Sequence, residues 1–259
     1  MTLFATTAAV IAIALFLLWL LSLRLRDASI VDIFWGLGFV LIAGTTYLLT
    51  DGYEVRRELL TAMVFLWGLR LAAYLAWRNI GKGEDYRYQA MRKRHGERFP
   101  IVSLYTVFAL QGVLMWIISL PLQMAQLPAQ PARLTPLDAL GVALWLIGLA
   151  FESIGDWQLA RFKADPANKG RVMDRGLWAW TRHPNYFGDA VVWWGFFAVA
   201  AATGAWWTAI GPLLMTLLLM KVSGVALLEK TLVKTKPEYQ AYARRTSAFF
   251  PWFPKSERA

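Results

Sequence analysis

The chain has 259 residues, of which 58% are hydrophobic, with a formal net charge of +10 and a mean hydropathy of +0.42. This composition is too apolar for an ordinary soluble domain of that length. Lys and Arg lie between apolar runs rather than along one stripe, which argues against a nucleic-acid-binding protein. The sequence has no cysteine, which excludes disulfides and zinc–thiolate sites, and its two histidines are too few for a multi-histidine metal cage.

Seven apolar runs are candidates to cross the hydrocarbon core of a bilayer, which takes about 20 residues in a helix, and the last two are slightly short of that length. The first run lacks the basic n-region and the small-residue cleavage site of a signal peptide, so it predicts a retained span. The sequence therefore predicts an all-α polytopic membrane protein that forms a single membrane domain over residues 1–259. The predicted spans are 3–23, 29–49, 59–78, 102–124, 136–156, 186–203 and 206–226.

The distribution of Lys and Arg among the connections predicts the orientation by the positive-inside rule. Connections 24–28, 79–101 and 157–185, with the tail from 227, carry 21 of the 27 basic residues, and the alternate connections carry 3. We expect a bacterial inner-membrane protein with its N-terminus outside and its C-terminus in the cytoplasm. The segment 227–245 predicts a cytoplasmic amphipathic helix that Pro237 splits in two.

Ionisable side chains near the inner ends of the spans are the first candidates for chemistry, because an unpaired charge in hydrocarbon is costly. Asp32 lies at the inner end of span two, and Lys221 lies at the inner end of span seven. Glu152 and Asp156 are four residues apart in span five and share one helix face. Each of these groups could simply snorkel to the interface. Their occurrence on one side of the membrane predicts an inner polar cavity.

Two further segments combine charged and aromatic residues in a way that suits a nucleotide. The loop 78–89 joins two glycines to Tyr86 and several cations, which could contact phosphate and base. At the start of span six, Pro184 fits the first turn of a helix. A helix N-terminus beside Arg182 then offers an anion site. Asn185 and Asp189 share one face there, and Asp189 could accept hydrogen bonds from ribose or amide groups.

The run at the start of span six resembles the signature of the steroid 5α-reductase-like superfamily. That superfamily includes 5α-reductases, sterol reductases and isoprenylcysteine carboxyl methyltransferases. The whole chain is most similar to an uncharacterised bacterial branch of it, and the resemblance is strongest over residues 150–254. The segments that carry the resemblance are Arg182–Asp189, Asp32–Gly36, Gly81–Tyr88, Leu227–Lys230, Tyr239–Tyr242 and Phe250–Pro251.

The resemblance implies a helical membrane enzyme whose half from 136 to 259 binds a nucleotide-type cofactor from the cytoplasm. In the reductases this cofactor is NADPH. The helices within 1–124 would then form the side of the cavity that holds a lipidic substrate, and loop 79–88 would help to close the pocket. The implied cofactor contacts are Asp156, Lys163, Arg171, Arg182, His183, Asn185, Asp189, Glu229 and Tyr242.

The 5α-reductases carry a Gln-Glu pair in span two and a tyrosine in span three, and this sequence departs from that pattern. Asp32 is the only acid of span two, so we predict Asp32 as the catalytic acid, with Tyr86 or Tyr74 beside it. The expected reaction is NADPH-dependent reduction of an activated carbon–carbon double bond in a steroid-like or other lipidic substrate. One alternative is an S-adenosylmethionine-dependent methyltransferase acting on a lipid or prenyl group. A second alternative is a non-enzymatic, lipid-binding membrane protein.

Overall fold

Helices make up almost all of the regular structure of this protein. The computed structural model describes residues 2–222, 229, 232 and 236–255. In these ranges no strand forms, and the extended pairing present is one parallel bridge between Thr181 and Ser247. The α-helices with both ends in the described residues are α1 Leu3–Leu25, α2 Ile30–Leu49, α3 Glu54–Asn79, α4 Tyr86–His95, α5 Phe99–Ser103, α6 Leu110–Ile118, α7 Leu120–Met124, α8 Pro136–Ala164, α9 Leu177–Trp180, α10 Pro184–Ala201, α11 Ile210–Leu217 and α12 Tyr239–Arg245.

Five helical segments of the described chain are long and apolar enough to cross a membrane. They confirm the prediction of an all-α polytopic membrane protein. The fourth of them is continuous from α4 to α6 and includes a π-helical stretch, Leu104–Ala109. The five segments are Leu3–Leu25, Ile30–Leu49, Glu54–Asn79, Tyr86–Ile118 and Pro136–Ala164.

The two remaining predicted spans form shorter or more polar helices. Helix α10 has 18 residues and carries Asn185, Tyr186 and Asp189 in its first two turns, so it is not among the five apolar segments. The predicted span 206–226 is helical from Trp206 to Val222, and its last four residues lie outside the described part of the chain. Most of the predicted amphipathic segment before Pro237 also lies outside it, whereas α12 follows that proline as a helix.

The described helices form two compact units. The first comprises Met1–Pro136 with Val199–Thr208, and the second comprises Leu137–Ala198 with Ala209–Ala259. In the first unit α2 and α3 approach closely at Gly36 and Gly68. A Cβ atom added to Gly36 would lie only 2.4 Å from the carbonyl oxygen of Gly68. Small residues at such a crossing allow backbone-to-backbone packing inside a membrane.

In the second unit α8 and α10 pack along a row of glycines spaced seven residues apart. A Cβ added to Gly148 would lie 2.6 Å from the carbonyl oxygen of Gly188. One heptad further on, a Cβ added to Gly155 would lie 3.2 Å from the backbone nitrogen of Asn185. This close packing places the part of α8 around Gly155 directly against the start of α10, where the predicted cofactor residues lie.

Candidate functional site

The first cluster of candidate residues joins the start of α2 to α4. Asp32 lies in the first turn of α2 and receives hydrogen bonds from two consecutive residues of α4. Arg87 Nη2 lies 2.6 Å from Asp32 Oδ2, and the Tyr88 hydroxyl donates to Asp32 Oδ1 at 2.8 Å. Asp85 caps α4 by accepting from the Arg87 backbone N–H at 3.0 Å and from Arg87 Nε at 2.8 Å. Both oxygens of Asp32 therefore act as acceptors, and Tyr88 supplies the hydroxyl proton of the cluster.

The two tyrosines that the sequence analysis favours lie elsewhere. Tyr86 is the first residue of α4 and is 57% exposed, because residues two apart point to different sides of a helix. The Tyr74 ring in α3 lies near the guanidinium groups of Arg70 and Arg78, at 5.4 and 5.6 Å from its centroid. The structure thus brings Tyr88, which is not among the predicted site residues, to Asp32. The capping aspartate before α4 is the sequence signal that fixes this register.

A second ion pair holds the loop before α4 against the turn between α1 and α2. Glu84 accepts from the Ala28 backbone N–H at 2.8 Å and from Arg92 at 2.8 and 3.0 Å. Burial alone would raise the pKa of Glu84, but the hydrogen bonds from Arg92 and Ala28 hold it below its usual value. The Asp32 cluster is therefore supported by a neighbouring charged anchor.

In the second unit, Arg182 and His183 connect the start of α10 to the C-terminal tail. Arg182 Nε lies 2.7 Å from Glu229 Oε1, and Arg182 Nη1 donates to the carbonyl oxygens of Ala243 and Thr246 at 2.9 and 2.5 Å. His183 Nε2 lies 3.3 Å from the same Glu229 oxygen. Arg182 was predicted as part of an anion site, and in this structure its guanidinium is occupied by the tail.

Burial and hydrogen bonding oppose one another at Glu229. Desolvation would raise its pKa, but hydrogen bonds from His183 and Arg182 and the charge of Arg182 lower it to about 2. Tyr242, another predicted cofactor contact, is 3% exposed, and its hydroxyl donates to the Trp178 carbonyl. Through these contacts Glu229 and Tyr242 hold the C-terminal tail against residues that precede α10.

The predicted residues of α8 and α10 meet at the glycine-mediated contact. The Asn185 side-chain amide donates to Asp156 Oδ1 at 3.0 Å, and Asn185 Oδ1 accepts from the Tyr186 backbone N–H at 3.1 Å. Asp156 is buried, and Asp189 lies one helical turn after Asn185. The structure therefore brings an acid and an amide together where α8 meets the start of α10.

A cavity of about 280 Å³ lies at the end of α8 in the same unit. Its wall contains four cations and one carboxylate, and that carboxylate, Asp165, accepts from the Ala167 backbone N–H at 2.9 Å. Lys163 lies seven residues after Asp156, about 10 Å further along the same face of α8. The four cations are Lys163, Lys169, Arg171 and Lys236.

Lys163 and Arg171 were predicted as cofactor contacts, and this cavity brings them together. Lys236 joins them because its ammonium group donates to the Arg171 carbonyl. Lys169 and Lys236 are absent from the predicted residues, since neither belongs to the motif at the start of α10. A local cluster of cations around a concave space can bind an anionic ligand.

Most of the chain matches one protein family. Residues 18–246 match the model of the family described as "Protein of unknown function (DUF1295)". An uncharacterised protein of Schizosaccharomyces pombe (strain 972) is 24% identical over 262 residues, which cover 90% of this chain and 75% of that protein. No solved structure matches the chain. Because the family match spans most of its length, the chain belongs to this family, which is steroid 5α-reductase-like.

Proposed function

We propose that the protein is a membrane-embedded reductase that uses NADPH to reduce an activated carbon–carbon double bond in a steroid-like or other lipidic substrate. The observation that carries this proposal is the cationic cavity at the end of α8, together with the hydrogen bond between Asp156 of the same helix and Asn185 of α10. Membership of a steroid 5α-reductase-like family supports the same class of reaction.

The donor set of the second unit suits both parts of a phosphorylated dinucleotide. Lys163, Lys169 and Arg171 would hold phosphate oxygens, since charge-assisted hydrogen bonds from Lys and Arg are the strongest available to phosphate. Asp156 and Asn185 offer an acceptor and an amide to the uncharged ribose and amide groups. S-adenosylmethionine carries a sulfonium cation and no phosphate, so it makes less use of four cations.

NADPH supplies the hydride in such a reaction. The protein must also provide a hydrogen-bond donor to the substrate carbonyl, where enolate charge develops as the hydride adds to the β-carbon. We assign this role to the Tyr88 hydroxyl. In the structure that hydroxyl donates to Asp32, so its single O–H would turn from Asp32 to the substrate carbonyl while the ion pair with Arg87 at 2.6 Å holds Asp32 in place. The apolar helices would exclude water from the reacting atoms.

Calorimetry on the detergent-solubilised protein tests the cofactor directly. We expect NADPH to bind, and to bind more weakly as salt is raised, because the cations of the cavity are partly exposed to solvent. Binding of S-adenosylmethionine without binding of NADPH would support the methyltransferase alternative. Binding of neither would support the non-enzymatic alternative.

A further inference from the structure

A large apolar groove runs along the first unit between α1 and the segment from α5 to α6. It has a volume of about 810 Å³. Its floor contains Ile11, Leu15 and Phe108, which are 2%, 3% and 1% exposed. Its rims contain Ile13 and Val113, which are 60% and 57% exposed. Because both rims belong to membrane-spanning segments, the groove opens sideways into the bilayer.

Small side chains and a local change of helix geometry shape this groove. Ala8 and Ala12 lie one turn apart on α1, and Gly112 of α6 also lines the groove. A Cβ atom added to Gly112 would lie 2.8 Å from Leu15 Cδ1, so the floor is closed by direct helix contact. The π-helical stretch Leu104–Ala109 forms part of the wall, and such stretches are frequent at functional sites.

One end of the groove is fixed by a hydrogen bond between its two walls. Trp19 Nε1 donates to the carbonyl oxygen of Pro100 at 3.0 Å. The nearest lining residues, Phe16 and Leu104, lie about 4–6 Å along their helices from this bond. From Phe16 to Ala8 the groove follows α1 for about 12 Å, close to the ~15 Å depth of one leaflet's hydrocarbon.

Exposed cations follow Trp19 along the chain and precede Pro100, at the end of the groove that these two residues mark. In the described part of the chain none of them pairs with a carboxylate, whereas the neighbouring Arg87 and Arg92 are both paired. Glu97 is the exposed carboxylate among them. The exposed cations are Arg24, Arg26, Lys93, Arg94 and Arg98.

We propose that this groove binds one anionic glycerophospholipid of the surrounding bilayer, with its acyl chains along α1 and its phosphate among the exposed cations. Charge complementarity selects the headgroup, since basic residues at a membrane surface attract anionic lipids. The apolar floor, which is close in length to the hydrocarbon of one leaflet, favours the acyl chains of a lipid through burial of apolar surface. This lipid is a bound component of the protein, distinct from any substrate, and the inference does not depend on the proposed reductase activity.

Native mass spectrometry tests this site with phosphatidylglycerol and phosphatidylcholine that carry the same acyl chains. We expect the wild type to retain one phosphatidylglycerol and to retain phosphatidylcholine at least about tenfold less well. The double variant Arg26→Gln/Arg98→Gln should bind phosphatidylglycerol about 10- to 30-fold more weakly, with no change for phosphatidylcholine. Ala12→Trp, which fills the groove, should abolish retention of both lipids.

Two matched controls separate this site from general effects of charge and lipid-facing bulk. Arg133→Gln removes an exposed cation of the connection 125–135, and Leu48→Trp enlarges an exposed residue of α2 outside the groove. Both should bind like the wild type. Val113→Trp at the rim replaces Ala12→Trp if circular dichroism shows that the latter is misfolded. Equal retention of the two lipids by the wild type, or full retention by a folded groove variant, would overturn the proposal.

Discussion

Asp32 and Tyr88 form a hydrogen-bonded pair whose members have different roles in the proposed reaction. Tyr88 carries the donated proton, so Tyr88→Phe should lower the turnover of NADPH with a lipidic enone by about 10²- to 10⁴-fold. Asp32→Asn keeps an acceptor oxygen for Tyr88 but loses the charge facing Arg87, so turnover should fall by about two orders of magnitude. The measurement is NADPH oxidation by purified protein supplied with a panel of enones.

Tyr86→Phe is the matched control for this prediction, because Tyr86 lies two residues away and is 57% exposed. It should retain the wild-type rate. Calorimetric NADPH affinity should be unchanged in all three variants, since none of these residues belongs to the wall of the cationic cavity or to the Asp156–Asn185 pair. Wild-type turnover in folded Tyr88→Phe would remove that hydroxyl from the mechanism.

Arg171 is the arginine among the four cations of the cavity wall, and its guanidinium group should contribute strongly to the binding of a phosphate. Arg171→Ala should weaken NADPH binding by about 1.5–3 kcal/mol, the usual range for a hydrogen bond to a charged group. Calorimetry at low and high salt would measure both this loss and a shallower salt dependence. Arg175→Ala, an exposed arginine of the same loop outside the cavity wall, should bind like the wild type. Equal losses in the two variants would contradict the assignment.

The low pKa of Glu229 makes the attachment of the tail dependent on pH. Its pKa is about 2 in the folded protein, below its ordinary value of 4.5, so the carboxylate stabilises the folded state above about pH 4.5. That contribution is lost as pH falls from about 4.5 towards 2. We expect the thermal midpoint to fall over this range, and Glu229→Gln to lower the midpoint at pH 7 and to flatten the decrease. Glu238→Gln, at an exposed acid nearby, should leave the profile unchanged.

At the scale of helices, the close contact between α8 and α10 depends on glycines, which have no side chain to separate the two backbones. A Cβ added to Gly148 would meet backbone atoms of Gly188 and Val192 at 2.6 Å, and backbone atoms cannot move aside as a side-chain tip can. Gly148→Ala should therefore destabilise the protein by about 1–3 kcal/mol. Thermal unfolding in detergent would measure this. Gly44→Ala is the control, because the atoms nearest to a Cβ added there would be those of the Phe65 ring, at 3.7 Å. A Gly148→Ala protein as stable as the wild type would show that the helices can separate without cost.

The positions of most helices follow from the sequence because the bilayer sets their length. The prediction 29–49 corresponds to Ile30–Leu49, and 59–78 lies within Glu54–Asn79. The predicted end of span five at 156 falls short of Ala164, because the polar residues after Asp156 continue the helix outside the apolar run. The π-helical stretch that interrupts 102–124 has no local signal, whereas the break at Ser119 is followed by Pro121 in the first turn of the next helix.

The candidate sites were predictable only where each residue lies in a recognisable local segment. Asp156 and Asn185 each lie in a recognisable segment, and the glycines that bring them together recur at a seven-residue spacing. The pairing of Arg182 with Glu229 joins residues 47 apart, so a lone arginine in the motif gave no indication that it was already occupied. The choice of Tyr88 over Tyr86 likewise depends on where α4 begins.

At the scale of the whole molecule, the two units carry different kinds of site. The first contains the Asp32–Tyr88 pair and the apolar groove, and the second contains the cationic cavity. A membrane enzyme with a lipidic substrate and a water-soluble cofactor needs both kinds of surface. The proposed reaction further requires that the cation-rich connections lie in the compartment that supplies NADPH.

The orientation of the chain is therefore the last prediction. Of the 27 Lys and Arg residues, 21 lie in one alternating set of connections and 3 in the other, and the positive-inside rule places the first set in the cytoplasm. Fusions of alkaline phosphatase and of green fluorescent protein at the C-terminus and within 125–135 would test this in bacterial cells. The C-terminal fusion should fluoresce and lack phosphatase activity, and the loop fusion should show the reverse. If both positions reported the cytoplasm, the predicted odd number of membrane crossings between 125–135 and the C-terminus would be wrong. If the two positions reported reversed sides, the cavity of Lys163 and Arg171 would face away from the cytoplasm, and NADPH could not be its ligand in the cell.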